Sequence, residues 1–285
     1  MSRVGRISGL ALAAVLVLGV SACGASPGAA VTIDGQSLSQ SALSAEVAVE
    51  ASGNANNPDV LVRANQVIAS RYIRHQLLAA AAKAQGVSVD PQQLALARQD
   101  QGLMQSAVAM GLSSEDVGDL LLLGKLISKV PAEGIEISDV SVKVELVTTA
   151  NRAEAVALRA QLQNERHAAA VAARSQSQTL TLSVLTTPSA GSAGVFLADP
   201  GDVVLLAGSS NYGVVRVLSR SSAPGKLTPQ LLSAAVQSLS SDQPQPDVIW
   251  LLLAAQARKT SVEVNPRLGR WDPATVQVAL SPSQS

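Results

Sequence analysis

The hydrophobic pattern of this chain changes period twice, and that constrains its fold more than any other feature. Apolar residues recur at three- and four-residue spacing, then alternate with polar ones, then return to helical spacing. A helix brings the same face round every 3.6 residues and a strand every second residue, so the two patterns belong to different elements. The clearest helical stretch is punctuated at both ends. Asn57 suits a cap, Pro58 the first helical position, and Gly86 the position just past the last turn. Within it Leu61, Ala64, Ile68, Tyr72, His75, Ala79 and Ala82 form one stripe, with Arg63, Arg71 and Arg74 off it.

Around this helix the order of elements can be read locally. Ala30 to Ile33 is a short strand, and Asp34-Gly35 supplies a turn. A helix follows from Ser39 or Ser41 to about Glu50. Asp90-Pro91 opens another that runs to about Met110, where Gly111 stops it. Ser113 with Asp116 resembles a variant capping box for a helix through about Val130. From Ser138 the alternation of Val140, Val142, Val144 and Leu146 signals a strand, followed by helices over 153–163 and 166–174. Further strands are expected over 179–185, 203–206 and 214–218, with Ser221 to Lys226 as a linker. Thr228-Pro229 then starts a new helical part, Val248 to Ala257 is a strongly apolar helix, and Ser261 to Val264 is a last strand.

Helix, then mixed α and β, then helix implies an α+β protein in which a mostly helical unit is split by a small inserted α+β module. The expected divisions are a signal peptide over 1–22, a tether over 23–30, helices over 31–137, the module over 138–222, helices and a strand over 223–278 that complete the first unit, and a flexible tail over 279–285. The strand at 30–33 and the strand at 261–264 are candidates to pair and close the split unit.

The first residues address location. Arg3 and Arg6 precede an uncharged apolar run from Ile7 to Val20, shorter than the ~20 residues a spanning helix needs, and small residues end it. Val20-Ser21-Ala22-Cys23 places the chain's single cysteine directly after two small residues, the arrangement of a bacterial lipobox. Cys23 is therefore the expected site of a diacylglyceryl group and of palmitate, and two or more acyl chains hold a protein stably on a bilayer. The expected location is the outer face of the cell membrane, lipid-anchored, with Gly24 to Ala30 as a small, Pro-containing spacer.

Composition excludes several classes. Net charge is zero, so no electrostatic footprint points to nucleic acid. Aromatic residues make up 2% of the chain, too few for the stacking platforms that bind single-stranded nucleic acid or sugars. With Cys23 lipidated no thiol remains for a disulfide, and the two histidines, His75 and His167, show no metal-ligand spacing. No metal, cofactor or small-molecule substrate is expected.

Several positions together resemble the SurA/PrsA-type foldases, and more closely the actinobacterial lipoproteins with a SurA-like N-terminal domain. Val31-Thr-Ile-Asp-Gly35 is similar to the family's opening strand and turn. Val67 to Gly86 followed by Val87-Ser-Val89 is similar to its long second helix and the start of the next. Val264-Asn-Pro-Arg-Leu-Gly-Arg-Trp-Asp272 resembles the tail of the actinobacterial members. The resemblance covers nearly the whole mature chain. It implies a split helical chaperone domain and an inserted parvulin-type prolyl isomerase or its remnant. The insert departs from an active parvulin, because Val144-Glu-Leu-Val147 stands where a His-Ile-Leu type motif belongs. Tyr212-Gly-Val-Val-Arg-Val217 likewise lacks the second histidine, and Phe196 is the chain's only phenylalanine. The resulting expectation is a lipid-anchored chaperone that binds unfolded or exported polypeptides without catalysis. A divergent peptidyl-prolyl cis-trans isomerase and a structural lipoprotein with one envelope partner are the alternatives.

Adaptable apolar side chains suit client capture, and Leu103, Met104, Ala107, Met110 and Leu112 cluster on or just past one helix. Core packing is the competing role for the same five residues. His75 reads as a hydrogen-bonded core or interdomain histidine, His167 as a surface residue, and Trp271 as an anchor for the tail. Glu133, Glu136 and Asp139 read as solvated loop charges. Ala190-Gly-Ser-Ala-Gly194 does not match the nucleophile elbow, and no catalytic residue is assigned.

Overall fold

The computed structural model describes residues 28–52, 56–164, 168–189, 194–207, 211–239 and 246–281. The expected signal peptide, Cys23, His167 and residues 190–193 of the Gly/Ser loop lie outside them. The chain is a mixed α+β protein.

Strands β1 (Ala29–Ile33) and β2 (Gln36–Ser39) form a hairpin, and Asp34 and Gly35, at φ 44 and 85, make the left-handed two-residue turn such hairpins favour. The strand takes in the last two residues of the expected tether, because Ala29 pairs with Ser39 and Ala30 is fully buried. On its other edge β1 pairs antiparallel with β7 (Val262–Val264), with Val31 opposite Val264 and Ile33 opposite Val262. The pairing of the strand at 30–33 with the strand at 261–264, expected from the sequence, is thus observed.

Helix α1 (Gln40–Glu50) leads to α2 (Pro58–Ala84), which is ~40 Å long. Asn57 accepts the Asp59 N–H at 3.0 Å, and the Val87 N–H returns to the Ala82 carbonyl at 2.8 Å past Gly86, whose φ is 62. Ile68, Ala69, Ile73, Leu77 and Leu78 are all buried, and these positions face more than one direction, so α2 is the axis of the helical part rather than a surface helix.

One expected helix is two. Helix α3 (Pro91–Ala97) ends before Asp100, which accepts the Gly102 and Leu103 N–H groups at 2.8 and 3.2 Å and starts α4 (Gln101–Ala109). A short acidic side chain stabilises a helix start more than a helix interior, and here that preference breaks the run. The expected capping box does not cap the helix: Asp116 Oδ2 accepts from both the N–H and the Oγ–H of Ser113 in the preceding turn, and α5 (Val117–Ile127) starts after Asp116 without a side-chain cap.

The central sheet has the order β4-β3-β6-β5. Its spine is β3 (Ile135–Thr149) against β6 (Tyr212–Leu227), paired from Ile135–Leu227 to Thr149–Tyr212. The expected linker 221–226 is therefore strand. Its residues are mostly exposed and include Pro224, which sits where β6 has no second neighbour and need not donate to a ladder. Strands β4 (Gln178–Ser183) and β5 (Val203–Ala207) flank the pair, and α6 (Arg152–Leu162) and α7 (Ala168–Arg174) pack on one face over Val203 and Val214. Glu136 and Asp139 lie in β3 rather than in a loop. Asp139 accepts the Ser183 hydroxyl at 2.8 Å.

The opposite face of the sheet shares one continuous core with the helices, running from Val31, Ile68 and Leu123 to Val142, Val217 and Val278. Helix α8 (Pro229–Ser238), capped by Thr228, returns the chain to the helical part. The expected apolar helix 248–257 is broken into α9 (Pro246–Trp250), a 3-10 turn over Leu251–Leu253, and α10 (Ala254–Ala257). After β7 comes a hairpin not foreseen from the sequence, β8 (Arg270–Asp272) with β9 (Gln277–Ala279). Asp272 builds its turn by accepting the Ala274 N–H and the Thr275 hydroxyl, while burial pushes its carboxyl pKa up against those bonds. Ala279 is fully buried, so the flexible tail does not begin at residue 279.

Candidate functional site

Helices α4 and α5 face α8 and α9 across a groove of about 710 Å³. One wall is the α4–α5 pair, and α2 and α9 fix where that pair turns. The carbonyls that end α4 have no intrahelical partner and need donors from elsewhere. Trp250 Nε1–H donates to the Met110 carbonyl at 3.2 Å, and Arg71 Nε–H donates to the Gly111 carbonyl at 3.0 Å. Gly111, at φ 74, adopts a conformation a side chain would resist. The other wall comes from Val236 and Leu239 at the end of α8 and Ile249 of α9.

Leucine dominates the lining. Leu103 projects from α4, while Leu120, Leu121, Leu123 and Ile127 project from α5. Leu123 and Met110 are buried in its floor, and Leu103, Leu120 and Leu121 are half-buried. Gly124 adds space in the middle of α5. A mid-helix glycine costs roughly 1 kcal/mol relative to alanine, and here no close neighbour demands it, because a Cβ at this position would meet nothing within 4 Å. Polar groups are confined to glutamines, serines and the single charge of Lys125. Such a site can desolvate apolar side chains, and no histidine, cysteine or carboxylate stands among its lining residues.

Of the five residues singled out from the sequence, Leu103 and Met110 line this groove. Met104 is half-buried outside the lining, and Ala107 and Leu112 are core residues with 0% and 2% exposure. Sequence reasoning missed the α5, α8 and α9 walls. It also missed Arg74, which is not a surface cation. Its guanidinium donates to the Val276 carbonyl at 2.9 Å, pairs with Asp247 at 3.3 Å and sits 4.8 Å from the Trp250 ring centroid. Burial lowers its pKa while Asp247 opposes that shift.

His75 is not in the core. Its side chain is half-exposed, and Nδ1 lies 2.7 Å from Oδ2 of the buried Asp119 on α5. That hydrogen bond raises the imidazole pKa, partial burial opposes it, and the charges of Asp119 and Asp116 add to the rise. Trp271 lies half-buried in β8, against the shared core.

The central sheet offers less open space. Phe196 is buried, and its carbonyl accepts the Arg220 Nε–H at 2.9 Å. Val144 and Val147 are buried, and Glu145 between them pairs with Arg216 at 3.0 Å. A cavity of about 190 Å³ lies between Leu162, Ala168 and Arg216. Among the described residues no three His, Cys, Asp or Glu side chains converge as a metal site, and no helix is long and apolar enough to cross a membrane.

No protein-family model and no curated protein matches this sequence. In structure the chain is similar to the foldase protein PrsA from Lactococcus lactis, at 13% identity and a TM-score of 0.25 over 84% of this chain and 95% of that one. It is also similar to the foldase protein PrsA from Streptococcus pneumoniae, at 9% identity and a TM-score of 0.24 over 84% and 96%. Both likenesses are distant, and the functional reading rests on the residues themselves.

Proposed function

We propose that this chain is a SurA/PrsA-like chaperone that binds unfolded segments of exported proteins without turning over a substrate. In this reading lipid on Cys23 tethers it to the outer face of the cell membrane. The observation that carries the proposal is the leucine-lined groove between the α4–α5 pair and the α8–α9 segment, open at Gly124 and with Lys125 as its one charged lining residue. A chaperone must cover exposed apolar stretches of varied sequence, and a side-chain-lined groove between helices does so without requiring a fixed hydrogen-bond pattern. The central segment supports a scaffolding role. Prolyl isomerisation must lower a barrier near ~20 kcal/mol in a shaped pocket, and the one phenylalanine that could help build it faces the interior.

The full chain, at equimolar amounts, is expected to suppress aggregation of a reduced model protein. Gly124→Ala should keep that activity and gain up to ~1 kcal/mol of stability. Gly124→Phe should fold normally by circular dichroism yet lose most of the suppression, because the ring occupies the groove. Equal activity of the Phe variant and the wild type would rule the groove out as the client site.

The lipid anchor is tested separately. Palmitate is expected to label the wild type in cells and not Cys23→Ser, with the variant released from the membrane fraction. Equal labelling of the two would remove the anchor from the proposal.

A further inference from the structure

Charge is unevenly placed around the groove. Lys125 is the one charged side chain among the lining residues, and it sits in the last turn of α5. Its Nζ donates to the Ser88 carbonyl at 2.8 Å, and Lys129, one turn further on, donates to the Gln85 carbonyl at 2.9 Å. These carbonyls belong to the end of α2 and the link to α3, so both ammonium groups are held against one segment, Lys125 at the groove and Lys129 one turn beyond its lining. Neither lysine has a carboxylate within ion-pair distance among the described residues. The aspartates that start the adjoining helices are already engaged as caps, Asp90 on Gln92 and Gln93 and Asp100 on Gly102 and Leu103. An ammonium has three N–H donors, and one carbonyl satisfies one of them.

Building on the chaperone reading, we infer that the groove selects apolar polypeptide segments carrying an Asp or Glu side chain at one end. The apolar residues lie along Leu103, Leu120 and Leu121, and the acidic side chain meets Lys125 and Lys129. Apolar burial supplies most of the affinity, while the lysines set the direction in which the segment lies and raise its rate of capture. A half-exposed ion pair changes an equilibrium by about threefold, and salt weakens it.

The test uses labelled leucine- and valine-rich peptides of one apolar core, ended by acidic, neutral or basic residues and titrated into the full chain at low and high salt. The acidic peptide is expected to bind about threefold tighter than the neutral one at low salt. The basic peptide should bind weakest, and the differences should shrink at high salt. The double variant Lys125→Met/Lys129→Met should bind all three alike, with affinity for the neutral peptide unchanged. Equal binding of the three peptides by the wild type overturns the charge selection and leaves the groove reading intact. Binding of no peptide overturns both. Displacement of the acidic peptide by laurate at concentrations where the peptide itself binds no better than the neutral one overturns the inference in favour of a lipid site.

Discussion

Trp250→Ala is expected to lower the free energy of unfolding by about 3–5 kcal/mol, read as a fall in urea midpoint with little change in slope. Trp250 is the largest fully buried side chain. Removing it leaves a cavity, strands the Met110 carbonyl and takes away the ring that faces the Arg74 guanidinium. Arg74 in turn holds Val276 and Asp247, so the loss reaches α2, α9 and the C-terminal hairpin together. Trp250→Phe keeps most of the volume and loses the donor, and should cost about 1–3 kcal/mol. A Trp250→Ala variant with the wild-type midpoint would mean that the two ends of the chain do not share a core.

The second large effect is expected at Gly194. Its φ is 80, and a Cβ there would run into the backbone carbonyl of Leu280. Gly194→Val combines a left-handed conformation that a β-branched residue resists with a collision against main chain that has little room to move. The cost should be about 2–4 kcal/mol. Hydrogen exchange should report it locally, with protection lost at Val278, whose N–H donates to the Ser70 hydroxyl at 2.8 Å, before the β3–β6 ladder opens. Unchanged protection at Val278 would show that the contact between Gly194 and Leu280, just past β9, does not clamp the hairpin.

Features set by neighbours in sequence were legible before the structure. Asn57, Pro58 and Gly86 bracket α2 because capping is local chemistry, and Asp34-Gly35 specifies its turn for the same reason. Features set by distant partners were not. Alternation marks Val140 to Leu146, yet β3 extends to Ile135 and Thr149 because β6 is there to pair with it. Arg74 lies off the apolar stripe of α2, and only Asp247 and Trp250, distant in sequence, make its burial tolerable. The groove shows the same division. Leu103 and Met110 were found from composition, since apolar side chains clustered beside a helix end draw notice, but Val236, Leu239 and Ile249 face them only in three dimensions. Gly124 was the overlooked signal, because a glycine inside an apolar helix asks for a reason.

The strand pairing that joins the two ends also imposes a schedule. Asp34 receives the Ser261 N–H from 227 residues away, and β1 has no outer neighbour until β7 exists. A ribosome adding ~5–20 residues per second would take on the order of 10–45 s over the 227 positions from Asp34 to Ser261. Throughout that interval the earliest strand waits with one edge bare. A newborn copy therefore cannot complete this sheet until Val262–Val264 has been made.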